Sequence, residues 1–274
     1  MTKASSFVGL RRAVLLAAVS GFGFLAATPA LKAAVSLDVP YVPTPPEVVK
    51  RMLEVTKVGP EDFVIDLGSG DGRIAIAAVK DFKAKGAMGV DLNPERIAEA
   101  NANAKEAGVS DKVEFREANL FHTDFSAASV LTMYLLPDVN VSLRDKILQM
   151  KPGTRVVSHA FDMDEWEADH YERVDGRSVY MWVVPAQVQG RWKVEGPDGG
   201  LELELQQEFQ NVSGTAKGAG GQTWPVTGKL NGSSLALTLG DGENARRLTG
   251  NVQGSSMLVS ETGGAGQNLK GSRL

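Results

Sequence analysis

The chain has 274 residues, 43% of them hydrophobic, and a formal net charge of −4, a size and composition that suit one large domain and a small one with an ordinary buried core. It has no cysteine, and its three histidines, His122, His159 and His170, lack metal-ligand spacing. Disulfides, thiolate nucleophiles and cysteine-ligated zinc are therefore excluded, and no metal site is expected. The first thirty residues carry Lys3, Arg11 and Arg12 and no acid; taking these three cations from −4 leaves −7 for the rest, the wrong sign for a general nucleic-acid binder.

Residues 1–30 read as an export signal. Lys3, Arg11 and Arg12 form a positive leader, and Ala13–Ala27 is an apolar run of 15 residues, short for a membrane span but normal for a signal core. Cleaved, it sends the chain to the periplasm; uncleaved, it anchors the chain to the inner membrane and gives it a means of membrane association. Residues 31–43 form a linker ending in Val39-Pro40-Tyr41-Val42-Pro43. Thr44 is the expected N-cap of the first helix, with Pro45 at the first helical position, and the helix runs from Pro46 to Val58 before Gly59-Pro60.

The chemistry-bearing stretch is Val64-Ile65-Asp66-Leu67-Gly68-Ser69-Gly70-Asp71-Gly72-Arg73-Ile74. A strand leads in, a tight glycine loop follows, and a helix begins at Ile74. Glycine at Gly68, Gly70 and Gly72 permits a sharp turn and close approach of a ligand to the backbone. Such a loop holds nucleotide-like ligands at the end of a parallel strand. The dinucleotide pattern G-x-G-x-x-G fails here, because its third glycine falls on Arg73. Asp66 and Asp71 flank the loop and would repel a pyrophosphate. A cationic ligand without phosphate, such as S-adenosylmethionine, fits better. Nineteen residues after Gly72 a second strand, Ala87–Val90, ends in Asp91 and Leu92, with the acid placed to accept hydrogen bonds from two ribose hydroxyls.

Loop and spaced acid together resemble the Asp-x-Gly-x-Gly-x-Gly motif of class I S-adenosylmethionine-dependent methyltransferases. The resemblance implies that Asp66, Gly68, Ser69, Gly70, Asp71, Gly72, Asp91 and Leu92 bind the cofactor. Asn119, after the third strand Val113–Arg116, stands where many relatives carry an acid toward the adenine amino group; its amide oxygen can still accept that bond.

The remaining alternation is independent of the motif. A second helix spans Pro94–Ala107, a fourth strand Ala128–Tyr134, a helix Val141–Met150, and a fifth strand begins at Arg155-Val156-Val157-Ser158. Two antiparallel strands follow, joined at Asp175-Gly176, a strong hairpin signal. Seven strands with helices between the first five predict an α/β fold with a Rossmann-like seven-stranded sheet over residues 44–186. Residues 187–274 are glycine-dense, with short alternating runs. Thr227-Gly228-Lys229-Leu230-Asn231-Gly232-Ser233-Ser234-Leu235 recurs 22 residues later as Thr249-Gly250-Asn251-Val252-Gln253-Gly254-Ser255-Ser256-Met257. Repeated hairpins predict a small all-β barrel or sandwich, with Trp192 and Trp224 in its core.

In an open α/β sheet ligands sit beyond the carboxyl ends of the strands, so the acceptor pocket is expected after strands four and five. Tyr134 could orient an acceptor amine, and His159, with an unperturbed pKa of about 6.5, could be a base. Leu136, Pro137 and Phe161 would line the pocket, Tyr41 would help close it, and Asp162 reads as the cap of a turn. The stretch from Tyr41 to Asp162 further resembles bacterial relatives of the mitochondrial lysine methyltransferases that modify the ADP/ATP carrier and the ATP synthase c subunit. The matching pieces are Tyr41-Val42-Pro43-Thr44, the glycine loop and Leu135-Leu136-Pro137. This implies a protein lysine as methyl acceptor. A small-molecule N- or O-methyltransferase, or an exported binding protein that keeps the fold without the chemistry, are the alternatives.

Overall fold

Apolar residues at helical spacing, Val48, Val49, Met52 and Leu53, are all buried by helix α1 (Pro46–Val55). The helix begins at Pro46 as expected, but its N-cap falls one residue later, on Pro45 rather than Thr44. A residue preceding proline is pushed out of helical backbone, so Pro45 takes the cap position in extended conformation, with no side-chain cap. Thr44 is thereby freed from the N-cap role, and its hydroxyl lies 3.1 Å from Nδ1 of His159 instead. The helix also stops three residues early, before Thr56, with Lys57 at a positive φ.

The rest of the first half alternates strand and helix: β1 (Phe63–Leu67), α2 (Arg73–Lys80), β2 (Gly86–Asp91), α3 (Pro94–Glu106), β3 (Val113–Glu117), β4 (Val130–Met133), α4 (Pro137–Leu148), β5 (Arg155–His159), β6 (His170–Val174) and β7 (Arg177–Val183). The computed structural model describes residues 41–196, 199–262 and 268–274. The expected export signal, and the linker up to residue 40, lie outside the described residues. Among the described residues no helix is long and apolar enough to cross a membrane.

The strands form one sheet in the order β3-β2-β1-β4-β5-β7-β6. The first five run parallel, and β7 enters antiparallel between β5 and β6. The Asp175-Gly176 turn joins β6 to β7 with both residues at positive φ, the backbone a two-residue hairpin needs. Successive strand residues point to opposite faces. Val64, Val130 and Val157 therefore pack with α1, α2 and α3 on one side, while Ile65, Leu131 and Val156 pack with α4 on the other. One expected helix is missing. The link from β3 to β4 is a series of turns from which Leu120, Phe121 and Phe125 pack into the core, and the backbone oxygens of Phe121 and Thr123 accept bonds from Lys146 on α4.

The C-terminal strands are β8 (Gly190–Val194), β9 (Leu201–Glu208), β10 (Asn211–Gly218), β11 (Thr223–Asn231), β12 (Ser234–Leu239), β13 (Arg246–Gln253), β14 (Ser256–Glu261) and β15 (Asn268–Arg273). They close into an eight-stranded antiparallel barrel through the pairing of β15 with β8, which decides between barrel and sandwich. At eight strands a barrel is just filled by side chains, here Trp192, Leu203, Leu237, Leu248 and their neighbours. Trp192 is fully buried and Trp224 packs at the edge of the same core. The internal repeat is the β11–β12 hairpin followed by the β13–β14 hairpin. Its glycines are spacers: a Cβ on Gly228 would lie 2.4 Å from the Ala236 carbonyl, and one on Gly250 would lie 1.9 Å from that of Leu258.

Candidate active site

The order of the sheet reverses between β1 and β4, and the crevice at such a reversal is where α/β proteins bind ligands. A cavity of about 230 Å³ opens there. Its floor is the glycine loop. Gly68, Gly70 and Gly72 all have positive φ, which side-chain-bearing residues adopt only at a cost. The loop is pinned to β2 by the N–H groups of Gly68 and Ser69, both donating to the Val90 carbonyl. The Gly70 N–H donates to Oδ2 of Asp91 at 2.9 Å, and the Asn93 N–H to Oδ1 of Asp91 at 2.8 Å. Asp91 thus sets the shape of the loop, and each of its oxygens retains a lone pair for a ligand.

Asp66, at 2% exposure, sits at the end of β1 and lines the same cavity. Burial is the main cause that pushes its carboxyl up to about 7; the Thr132 hydroxyl, 2.6 Å away, partly counters it, and the nearby Asp91 and Asp71 add to it. A bound cation would reverse this by favouring the charged carboxylate. Affinity for S-adenosylmethionine is therefore expected to rise with pH up to about 7 and level off above it, with a slope of at most about tenfold per pH unit and release of a proton on binding. Calorimetry from about pH 5.5 to 8 measures this. A flat profile, or one unchanged by Asp66→Asn, would remove Asp66 from the ligand's charge balance.

Asp71 departs from the expectation that it offers a free charge to the ligand. Burial works against its ionisation, but Arg73 holds it below the usual carboxylate range through a bidentate pair, with Nε to Oδ1 at 2.9 Å and Nη2 to Oδ2 at 2.6 Å. Preference for a cation rests on Asp66 and Asp91. Arg73 also donates to the Thr44 carbonyl at 2.9 Å, tying residues 41–44 across the loop. Tyr41 lies on Gly70 so closely that a Cβ there would be 2.4 Å from its ring, and the Arg96 guanidinium sits 4.7 Å from the centre of that ring. Tyr41 lines the cavity above Gly70. Arg73, Arg96 and Thr44 line the site beyond the residues expected there; Arg73 was marked by its opposite charge two residues from Asp71, and Thr44 only by its place in the Tyr41-Val42-Pro43-Thr44 resemblance.

A smaller cavity of about 60 Å³ adjoins the first and shares Gly68, Asp91 and Leu135 with it. Leu92, Leu120, Phe121, Val139 and Asn119 line it, a mostly apolar surface of the kind a base can pack against. The Asn119 amide oxygen already accepts the Phe121 N–H at 2.9 Å, so only its second lone pair is open to adenine. Of the cofactor residues expected from sequence, Gly72 alone lines neither cavity. It turns the chain against Phe115, whose ring would lie 2.4 Å from a Cβ there.

At the acceptor end, Tyr134, Leu136 and Phe161 line the large cavity, while Pro137 and His159 do not. Pro137 opens α4. His159 is 2% exposed, packed against Tyr134 with ring centres 3.9 Å apart and planes tilted by 38°, and bonded to Thr44. Burial, and to a lesser extent Arg177, lowers its pKa to about 4. The ring lines neither cavity and its lowered pKa makes it a weak proton acceptor, which argues against the expected role as base; it packs against Tyr134 instead. Asp162 caps a turn as expected, accepting the Asp164 N–H at 3.2 Å.

Comparison with known proteins agrees with this geometry. Residues 66–170 match the ANTKMT methyltransferase domain family. A protein-lysine N-methyltransferase of Saccharolobus islandicus is 48% identical over 151 residues, covering 53% of this chain and 94% of the relative. The adenine nucleotide translocase lysine N-methyltransferase of Mus musculus is 36% identical over 132 residues, covering 48% of this chain and 57% of the relative. A crystal structure titled as an RNA methyltransferase of Salinibacter ruber, in complex with S-adenosyl-L-homocysteine, is 49% identical, with a TM-score of 0.52, over 54% of this chain and 96% of that one. The cofactor is S-adenosylmethionine, and the residues here fit it: two carboxylates for its cationic end and ribose, and an apolar surface for its base. By sequence and by fold, the chain belongs to the protein-lysine N-methyltransferase family of class I S-adenosylmethionine-dependent methyltransferases.

Proposed function

We propose that this chain transfers a methyl group from S-adenosylmethionine to the ε-amine of a lysine in a protein. The observation that carries the proposal is the acceptor end of the cavity, where Tyr134, Leu136 and Phe161 present apolar and aromatic surface on a chain of net charge −4. RNA binding calls for cations facing the phosphates. The two arginines at the cavity are engaged elsewhere, Arg73 with Asp71 and Arg96 with Tyr41 and Glu99. The names of the archaeal and mouse relatives support a protein acceptor.

The cofactor supplies an activated methyl, so the protein's task is alignment, exclusion of water and handling of one proton. Asp66 and Asp91 hold the donor, and Tyr41 covers it. Tyr134 and Phe161, with ring centres 6.3 Å apart, flank the lysine stem. An amine with a pKa of about 10.4 must be neutral to attack, and an apolar mouth favours the neutral form by desolvation. The Tyr134 hydroxyl orients the amine.

Purified chain incubated with methyl-labelled S-adenosylmethionine and separate protein, RNA and metabolite fractions of cells tests this. Label is expected in protein and, after acid hydrolysis, in methylated lysine. Label in nucleotides or small amines instead would overturn the proposal.

A further inference from the structure

The barrel lies outside the family match, which ends at residue 170, yet two of its hairpin tips meet the catalytic half: Gly232 lies against Gly153 and Val183, and Phe209 against the loop after β5. Three of its hairpins turn on two residues, between the pairs Glu208–Asn211, Asn231–Ser234 and Gln253–Ser256. The first turn residue has φ of 51°, 57° and 58° respectively. Glycine occupies it in the second and third turns, as that backbone favours. The first turn has Phe209. A bulky aromatic in left-handed backbone is a poor local choice, so its side chain must answer to something outside the turn.

That something is the loop between β5 and β6, residues 160–169, which carries Phe161. The ring of Phe209 stacks on Trp166, with centres 6.0 Å apart and 13° between planes. The Arg144 guanidinium covers the Phe209 ring at 5.3 Å and donates to the Met163 carbonyl at 3.0 Å. Beside it, buried Gln210 donates through Nε2 to the Glu167 carbonyl at 2.9 Å. From the other side, Nδ2 of Asn140 on α4 donates to the carbonyls of Phe161 and Asp162. The loop itself includes Ala160 and Asp164 at positive φ, backbone that persists only when neighbours impose it.

We infer that Phe209 and Gln210, at the tip of the β9–β10 hairpin, are positioning residues that clamp the 160–169 loop and so fix Phe161 at the acceptor mouth. The inference rests on the acceptor reading above for its catalytic consequence, but the clamp itself can be measured without any acceptor. Phe209→Gly is the informative variant, since glycine suits the turn and keeps the hairpin foldable while removing the stack. In full-length chain bound to S-adenosylhomocysteine, backbone amides of residues 160–168 are expected to exchange about tenfold faster or more. Exchange in the glycine loop and affinity for S-adenosylhomocysteine should stay within about twofold, because those residues share no partner with Phe209.

Methyl transfer to the labelled protein fraction should fall about tenfold through misplacement of the mouth, and Phe209→Tyr, which keeps the ring, should restore both readouts. Unchanged exchange in residues 160–168 overturns the clamp. Faster exchange with undiminished transfer overturns its catalytic consequence. Failure of the acceptor reading shows differently, as no label entering protein with the unaltered chain.

Discussion

Replacing Asp91 by alanine is expected to weaken binding of S-adenosylmethionine by about 1.5–3 kcal/mol, the range for hydrogen bonds to a charged group, or roughly 10- to 150-fold in Kd. Two losses combine. The ribose would lose its acceptor, and the Gly70 and Asn93 N–H groups would lose the carboxylate that holds the loop in shape. Asp91→Asn separates them. Its one amide oxygen can satisfy one of the two N–H groups, so a smaller loss is expected. Titration calorimetry of both variants measures the effect. Equal affinity of Asp91→Ala and the unaltered chain would take Asp91 out of the cofactor site.

Trp166→Ala is expected to destabilise the fold by about 3–5 kcal/mol, the usual cost of truncating a buried tryptophan. Trp166 is fully buried. Its ring packs 6.0 Å from Trp182 of the sheet and 6.0 Å from Phe209 of the barrel, and its carbonyl accepts the Trp182 indole N–H at 2.7 Å. Both halves of the molecule lean on it. At roughly 2–4 °C per kcal/mol for chains of a few hundred residues, thermal unfolding should shift down by about 6–20 °C. A shift under about 2 °C, less than 1 kcal/mol on that scale, would show that the two halves do not share this contact. The same contact bears on how far the catalytic half can stand alone. The composition break near residue 187 suggests a removable appendage, whereas removing it uncovers Trp166 and leaves the Glu167 carbonyl without Gln210.

Much of this site is written in short stretches of chain. The glycines at 68, 70 and 72 are legible because each occupies backbone that other residues avoid, and the acid at the end of β2 is legible because its spacing follows from one strand–helix–strand unit. Asp175-Gly176 and the repeated Gly-Ser turns identify their hairpins for the same local reason. The N-cap of α1 falls on Pro45 rather than Thr44 through another local rule, the restriction that Pro46 puts on Pro45.

The strand–helix alternation, the glycine loop, the acid at the end of β2 and the antiparallel character of the C-terminal part are therefore legible in short windows, since all of these follow from backbone preferences spanning a few residues. The tertiary structure was needed to show Asp71 paired with Arg73, His159 buried against Tyr134 and bonded to Thr44, and the barrel closed with Phe209 against the 160–169 loop. The first depends on the buried setting that pairs Asp71 with Arg73, since the two are only two residues apart; the others depend on partners 25 to 115 residues apart along the chain, beyond any local window.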